Sequence, residues 1–402
     1  MRMRNRALTG AACVALIAVL AACGATTATT STITGSKMTI YTSLPLAGPE
    51  SAEAHDVLDA EQLALSQAGG KVGRFTIDFT SHNDATSAGW SPKLIADNAR
   101  QAIQIKDVVA YIGELDPNAS AQSIPIANAD ALLVVSPYDT AIGLTQATRA
   151  DSGSPDKYYE SLNSNGRTFA RVVPNDNDQA ESQLEMMHTR GVKKLYIVED
   201  GKAYGDEIAL AVEQDASKYG ISASPPVRST AGLTQSGASA LFYGGVASPA
   251  AVQLFNAAVT ANPKLKLFGP GGLYTSSFVS QLSAAAQSGT LLSEPGLTPA
   301  ELPLAGKKFL AAFKTAYHHV PWTQAIFGYA AMQVVLDAIH RAGANADDRA
   351  NDVSSLLGGK NFNTALGTMS INKNGDTSLA PYLFSRVKGG RLLAPKGLIV
   401  KP

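Results

Sequence analysis

The sequence predicts an α/β chain built on parallel sheets, and three observations predict it. The first is the stretch Asp107–Thr140. A Val/Ile-rich run, 108–112, ends at Gly113, a helix-like segment covers 117–130, and a second apolar run, 132–135, ends at Ser136-Pro137. Short β-branched runs bounded by Gly and Pro read as buried parallel strands, so this is a strand–helix–strand unit. The second is that the same alternation repeats along most of the chain. The third is a polar break before Arg171 that divides the strands into two sets and implies two sheets. In open α/β sheets a ligand sits outside the carboxyl ends of the strands, here 113–120 and 136–140.

Taken in order, Met38–Leu44 is the first strand and Pro45–Pro49 a turn. Helical spacing of Val57, Leu58, Leu63 and Leu65 predicts a helix over 50–68, stopped by Gly69-Gly70. Phe75–Phe79 is the next strand, and 91–106 a helix with Pro92 in its first turn. After the opening unit, 141–166 is polar and reads as a surface excursion. Thr168–Val173 is extended, 178–190 helical, and Lys194–Val198 a strand followed by a helix to Tyr219. Ala240–Tyr243 and Lys266–Phe268 are strands flanking a helix over 249–261. Phe327, Ala331, Val334, Val335 and Ala338 give 324–342 a strong apolar face. Leu366–Ile371 is a late strand, Asn374-Gly375 a hairpin-type turn, and Tyr382–Val387 the last long strand.

The N-terminus carries Arg2, Arg4 and Arg6, an apolar run over 11–20, and Leu20-Ala21-Ala22-Cys23-Gly24. This is the form of a secretory signal, and its run is too short to span a membrane. The ending resembles the bacterial lipobox, which implies a signal peptide over 1–22 and a lipidated, palmitate-bearing Cys23. Residues 25–36 are Thr-rich and read as a flexible tether. The chain has 402 residues and balanced charge, 33 basic against 33 acidic. Loss of the three leader arginines leaves 30 against 33, or −3. Nothing in that balance points to nucleic acid. The two cysteines, Cys13 and Cys23, cannot staple the folded body.

Enzyme signatures are missing from the sequence. No G-x-G-x-x-G follows a strand, no G-x-S-x-G or H-E-x-x-H occurs, and His318-His319 has no third ligand nearby. The reading is no enzyme, no cofactor and no metal.

Leu44–Pro49, Tyr111–Leu115, Leu133–Pro137, Arg167–Arg171, Tyr204-Gly205, Tyr243–Gly245, Gly269–Gly272, Tyr329–Met332 and Asn374–Asp376 occur in an order and spacing that resembles the substrate-binding proteins of branched-chain amino-acid ABC importers. The resemblance covers most of residues 38–396. It implies the type I periplasmic-binding fold, two doubly wound lobes with parallel central sheets joined by a three-segment hinge. The hinge points are placed near Arg171, Ser293 and Thr368. Lobe 1 is then 38–170 with 294–367, and lobe 2 is 171–293 with 368–402, after a tether over 23–37.

The resemblance also implies a ligand-binding set. Asn118, Ser120, Tyr138, Asp139 and Thr140 come from lobe 1, and Tyr204, Val246, Gly271 and Tyr274 from lobe 2. Donors after the third strand would hold a ligand carboxylate; here that place reads Asp116-Pro117-Asn118-Ala119-Ser120. Asp116 also fits a helix cap, Asp139 an Asx-turn, Tyr204 an exposed turn, Tyr243 a core position, and Tyr274 either a ligand stack or a hinge cover. Two positions depart from the pattern. Val246 replaces an aromatic, and Gly271 replaces the acid that pairs with a ligand ammonium. A buried ammonium needs a carboxylate, so Asp139 or Glu114 is the substitute to examine. The implied function is a lipid-anchored solute receptor working with an ABC permease and ATPase, outside the cytoplasm. A ligand-sensing module without transport is the alternative.

Overall fold

The structure, a computed structural model, describes residues 33, 35–394 and 399–400. The leader and Cys23 lie outside them. The first sheet holds β1 (Lys37–Leu44), β2 (Phe75–Asn83), β3 (Val108–Ile112), β4 (Leu133–Ser136) and β5 (Phe169–Arg171) in the order β2-β1-β3-β4-β5, with Lys71–Val72 at the β2 edge. All five pair in parallel, Ile40 lying between Phe79 and Ala110. Every residue of β3 and β4 is buried, as strands covered on both faces must be.

Helices α1 (Ser51–Gln67) and α2 (Pro92–Gln104) belong to this lobe. Three more helices are described in lobe 1 after the second crossing, among them α3 (Leu304–Tyr317) and α4 (Ala325–Ala342). The predicted stripe of α4 is buried and packs with Val109, Ile112 and Val135. Gly328 permits its close approach to α1, since a Cβ there would lie 2.6 Å from Val57 Cγ1.

The second sheet repeats the order. Its strands are β6 (Lys194–Glu199), β7 (Ala240–Gly244), β8 (Lys266–Gly269) and β9 (Thr290–Pro295), with Ser222–Ala223 beside β6 and antiparallel β10 (Tyr382–Lys388) beside β9. Helices α5 (Asp176–Thr189), α6 (Ala203–Asp215) and α7 (Pro249–Ala261) flank it. The buried apolar clusters of this lobe draw on residues 180–292 and 382–387, and those of the first on residues 33–173 and 302–371, so each lobe has its own core.

Three expectations change. The 141–166 stretch is not a surface excursion: Ala141, Leu144, Tyr158 and Tyr159 are buried in one cluster with Tyr111 and Phe169. The 117–130 helix is two pieces, a 3-10 turn at Ala119–Ala121 and a short helix at Ile124–Ala129, because Pro125 suits only the first turn of a new helix. The later crossings also shift. Ser293 is inside β9, so the chain leaves the second lobe after Pro295. Thr368 belongs to a hairpin, Phe362–Thr364 with Gly367–Met369, whose Phe362 and Met369 lie in the first core. The return to lobe 2 comes just before Tyr382.

Arg171 ties this junction together. It is fully buried, and its Nε donates to Asp376 Oδ1 at 2.8 Å, while Nη1 donates to the carbonyls of Asp139 (3.0 Å) and Ala141 (2.7 Å). Burial pushes the Asp376 carboxyl up, but Arg171, with donors Gln146 and Thr145, outweighs burial and holds it below the usual range. Removing one partner of such a pair strands a buried charge, at a cost of about 3–5 kcal/mol. Arg171→Met should therefore lower the unfolding free energy by roughly that amount, read from urea denaturation. A loss within about 1 kcal/mol of zero would show that the pair does not hold the junction.

Candidate functional site

The carboxyl ends of both sheets face one cleft, as the order β2-β1-β3 and its counterpart in lobe 2 place them. The cleft has a volume of about 750 Å³. Its wall takes Asp116, Tyr138 and Trp322 from lobe 1 and Gly271, Tyr274 and Glu294 from lobe 2. A smaller pocket of about 60 Å³ adjoins it through Pro117 and is lined by Asn118, Tyr204 and Glu207 among others. A cleft of this size with a few convergent polar groups is the form of a small-molecule site.

The nine expected ligand residues divide. Tyr138, Gly271 and Tyr274 line the large cleft, and Asn118 and Tyr204 the small pocket. Tyr274 also bonds Ser385 through its hydroxyl at 2.6 Å, so it both faces the cleft and anchors on β10. Tyr204 lies on the glycine turn after β8, its hydroxyl accepting from Gly272 N–H at 3.3 Å. Val246 N–H donates to Asp200. Ser120, Asp139 and Thr140 are buried and lie on the wall of neither cavity.

Asp139 is fully occupied. Its Oδ1 accepts from the amides of Asn118 at 2.7 Å and Ala141 at 3.2 Å, and its Oδ2 from the amide of Ser120 at 2.8 Å. The donors expected to hold a ligand carboxylate are thus filled by a carboxylate of the chain itself. Thr140 Oγ1 donates to Asp176 Oδ2, linking lobe 1 to the start of α5. Glu114 is no substitute charge for the cleft either. It is buried, accepts from Tyr111 at 2.7 Å, and burial and the neighbouring Asp84 push its carboxyl far up. Asp116 caps no helix by its side chain, because Asn118 takes left-handed dihedrals, φ 67°, and only one 3-10 turn follows.

The acid that the sequence reading missed is Glu294, on β9. A Cβ on Gly271 would lie 2.9 Å from Glu294 Oε2, so this carboxyl fills the space in front of the glycine. Glu294 is 6% exposed. Its Oε1 accepts from Tyr138 Oη at 2.5 Å and Gln324 Nε2 at 2.8 Å, both from lobe 1, while Oε2 has no protein partner. No sequence signal pointed to it, because Leu291-Leu-Ser-Glu-Pro295 matches no motif; only the strand neighbours of Gly271 could have. Among the described residues, no cluster of His, Cys, Asp and Glu is arranged to hold a metal.

These features agree with what the chain is similar to. It matches the periplasmic binding protein family over residues 37–391. The chain belongs to that family. It is a solute-binding protein. A curated relative is the Leu/Ile/Val-binding protein homolog 3 of Brucella melitensis, 26% identical over 380 residues, covering 89% of this chain and 93% of the relative. The crystal structure of the leucine-binding protein LivK from Thermotoga maritima has a TM-score of 0.71 at 21% identity, covering 91% of this chain and 99% of LivK. A solute-binding protein from R. palustris, solved with benzoate, has a TM-score of 0.66 at 17% identity, covering 92% and 98%. These likenesses carry the two-lobed fold.

The electrostatics of the cleft are one-sided. Burial raises Glu294 to about 8, against the lowering effect of Tyr138 and Gln324. Burial raises Glu207 to about 7, although it accepts from the amides of Ile142 and Gly143 in the other lobe. Glu50 is raised by burial and then by Glu53 and Asp84, and Asp116 is raised well above the carboxylate range by burial and then by Glu50. A folded-state pKa above the unfolded value gives stability that is fully present below the unfolded pKa and lost as pH rises through the folded one. The solute-free protein should therefore melt at lower temperature at pH 9 than at pH 6. Each such group removes up to about 1.4 kcal/mol per pH unit within its window. Glu294→Gln should flatten the fall, and scanning calorimetry reads both. A melting temperature that is level or rises between those pH values would contradict this.

Proposed function

We propose that this chain is the solute receptor of an ABC importer and that its two lobes close on a small polar or amphipathic molecule, an amino acid or an analogue. The observation that carries the reading is the single cleft of about 750 Å³ whose wall comes from strand ends of both lobes, Tyr138 on one and Gly271, Tyr274 and Glu294 on the other. A solute touching both walls binds the closed arrangement better than the open one, and only that difference in affinity shifts the balance between them. Lobes with separate cores, joined by three short crossings, are suited to rigid-body hinge motion. The relatives named as binding leucine, or solved with benzoate, support a small-solute role.

The remaining partners follow from this role. They are a permease that accepts the closed lobes and its ATPase. The place of work is the outer face of the cytoplasmic membrane or the periplasm, with lipid on Cys23 as the tether. Among the described residues no helix is long and apolar enough to cross a membrane, and a lipid anchor supplies attachment. One acyl chain binds membranes only marginally, so stable anchoring needs more than one.

Two outcomes are expected. Small-angle scattering should show a smaller radius of gyration for protein purified with its retained solute than for the same protein unfolded, freed of solute and refolded. An unchanged radius would contradict closure. In cell fractionation, Cys23→Ser should leave the membrane pellet for the soluble fraction, and retention in the pellet would remove the lipid tether from the account.

A further inference from the structure

We infer that the solute of this cleft is an organic cation without a carboxylate, an amine or a related onium compound, with Glu294 as its counter-ion. This rests on the receptor reading and narrows its solute, from an amino acid or an analogue, to the analogues that lack the carboxylate. Three independent features of the molecule support it.

The first is the carboxyl of Glu294. It is nine-tenths buried, lines the cleft, and leaves Oε2 without a protein partner beside the bare backbone of Gly271. Its other oxygen is fixed by Tyr138 and Gln324, so the carboxyl is held in one orientation before a solute arrives. A buried carboxylate gains most from a partner that brings positive charge and N–H donors together.

The second is the composition of the wall. Glu50, Glu53, Asp116 and Glu294 all line the cleft, while no Lys, Arg or His does among the described residues. Glu50 Oε2 is likewise buried without a partner, on the lobe opposite Glu294. Tyr138 and Trp322 meet edge to face with ring centroids 5.6 Å apart, and both line the cleft. Aromatic faces attract organic cations and offer an anion nothing comparable.

The third is the loss of the place where a carboxylate would sit. The amides of Asn118, Ser120 and Ala141 converge on Asp139, which is 0% exposed. A solute carboxylate would have to displace an internal one that is held by three donors, and would then stand near Asp116 and Glu50. Like charges in a low-dielectric site repel strongly. The same geometry that welcomes an ammonium at one end therefore excludes an α-carboxylate at the other.

The test uses solutes that share a side chain and differ in which charged groups they carry. One trio is isoamylamine, leucine and 4-methylpentanoate; the other is phenethylamine, phenylalanine and 3-phenylpropanoate. Each is titrated by calorimetry into the solute-free full chain, and scattering is recorded on the same samples at saturation. In at least one trio the amine should bind most tightly, by about tenfold or more over its acid, which is the effect of about 1.4 kcal/mol. Glu294→Gln, nearly isosteric and able to keep the Tyr138 and Gln324 contacts, should weaken the amine about tenfold or more and leave the acid unchanged. Amines that fail to bind at millimolar concentration, or an acid or amino acid that binds as tightly as its amine in both trios, overturns the inference. An amine whose affinity is unchanged in Glu294→Gln overturns it too. If an acid or amino acid is the tightest binder and shrinks the radius of gyration, only the cation inference falls. If a tight binder of any charge leaves the radius unchanged, the receptor reading falls.

Discussion

The site depends on a chain of buried charge that runs through the loops at the strand ends. Asp139 gathers the amides that follow β3 and β4, and its carbonyl receives Arg171 at the end of β5. Arg171 in turn pairs with Asp376, which precedes the third crossing. Two strand-end loops and the third crossing segment are thereby fixed relative to one another. The burial of these groups is tolerable because each is paired or accepts several donors. The same bonds place Tyr138, one residue before Asp139, at the edge of the cleft, where its hydroxyl reaches Glu294 on the other lobe.

That arrangement has an electrostatic consequence. The donors at the end of the first sheet are spent inside the protein, so the cleft presents carboxyls and aromatic rings. Burial drives Glu50, Asp116 and Glu294 toward their neutral forms, Glu294 to about 8. A neutral acid in a half-apolar cleft costs far less than a bare carboxylate. It also stands ready to ionise when a cation enters, because an opposite charge nearby favours the charged form. Glu294 accepts from Tyr138, and Glu207 from the amides of Ile142 and Gly143, so hydrogen bonds join the two lobes beside the cleft.

Much of the fold was legible in the sequence because its signals are local. The run Val108–Ile112 is a strand residue for residue, and the stripe from Phe327 to Ala338 is one buried helix face. The site was legible only as a region. Tyr138, Gly271 and Tyr274 stand on the cleft as motif order implied. Asp139 could be noticed as an acid after Ser-Pro, but two of its three donors lie 21 and 19 residues away and are brought to it by β3–β4 pairing. Glu294 carried no signal, since its meaning comes from a missing side chain at Gly271 and from a tyrosine 156 residues distant. The crossing placed near Ser293 falls inside β9, where neighbours satisfy the polar groups of the strand. Ser293 Oγ accepts from both Gln179 and Gln183 of α5.

The central claim is that the two lobes close on a cation held at Glu294, with the strand-end amides still bound to Asp139. The most direct measurement is a crystal structure of the protein with isoamylamine or phenethylamine, whichever binds more tightly. The expected result is closed lobes, the amine nitrogen within hydrogen-bond distance of Glu294 Oε2, and Asp139 still accepting from Asn118 and Ser120. A solute whose polar group lies away from Glu294, or a retained solute whose carboxylate has taken the Asn118 and Ser120 amides from Asp139, would contradict it.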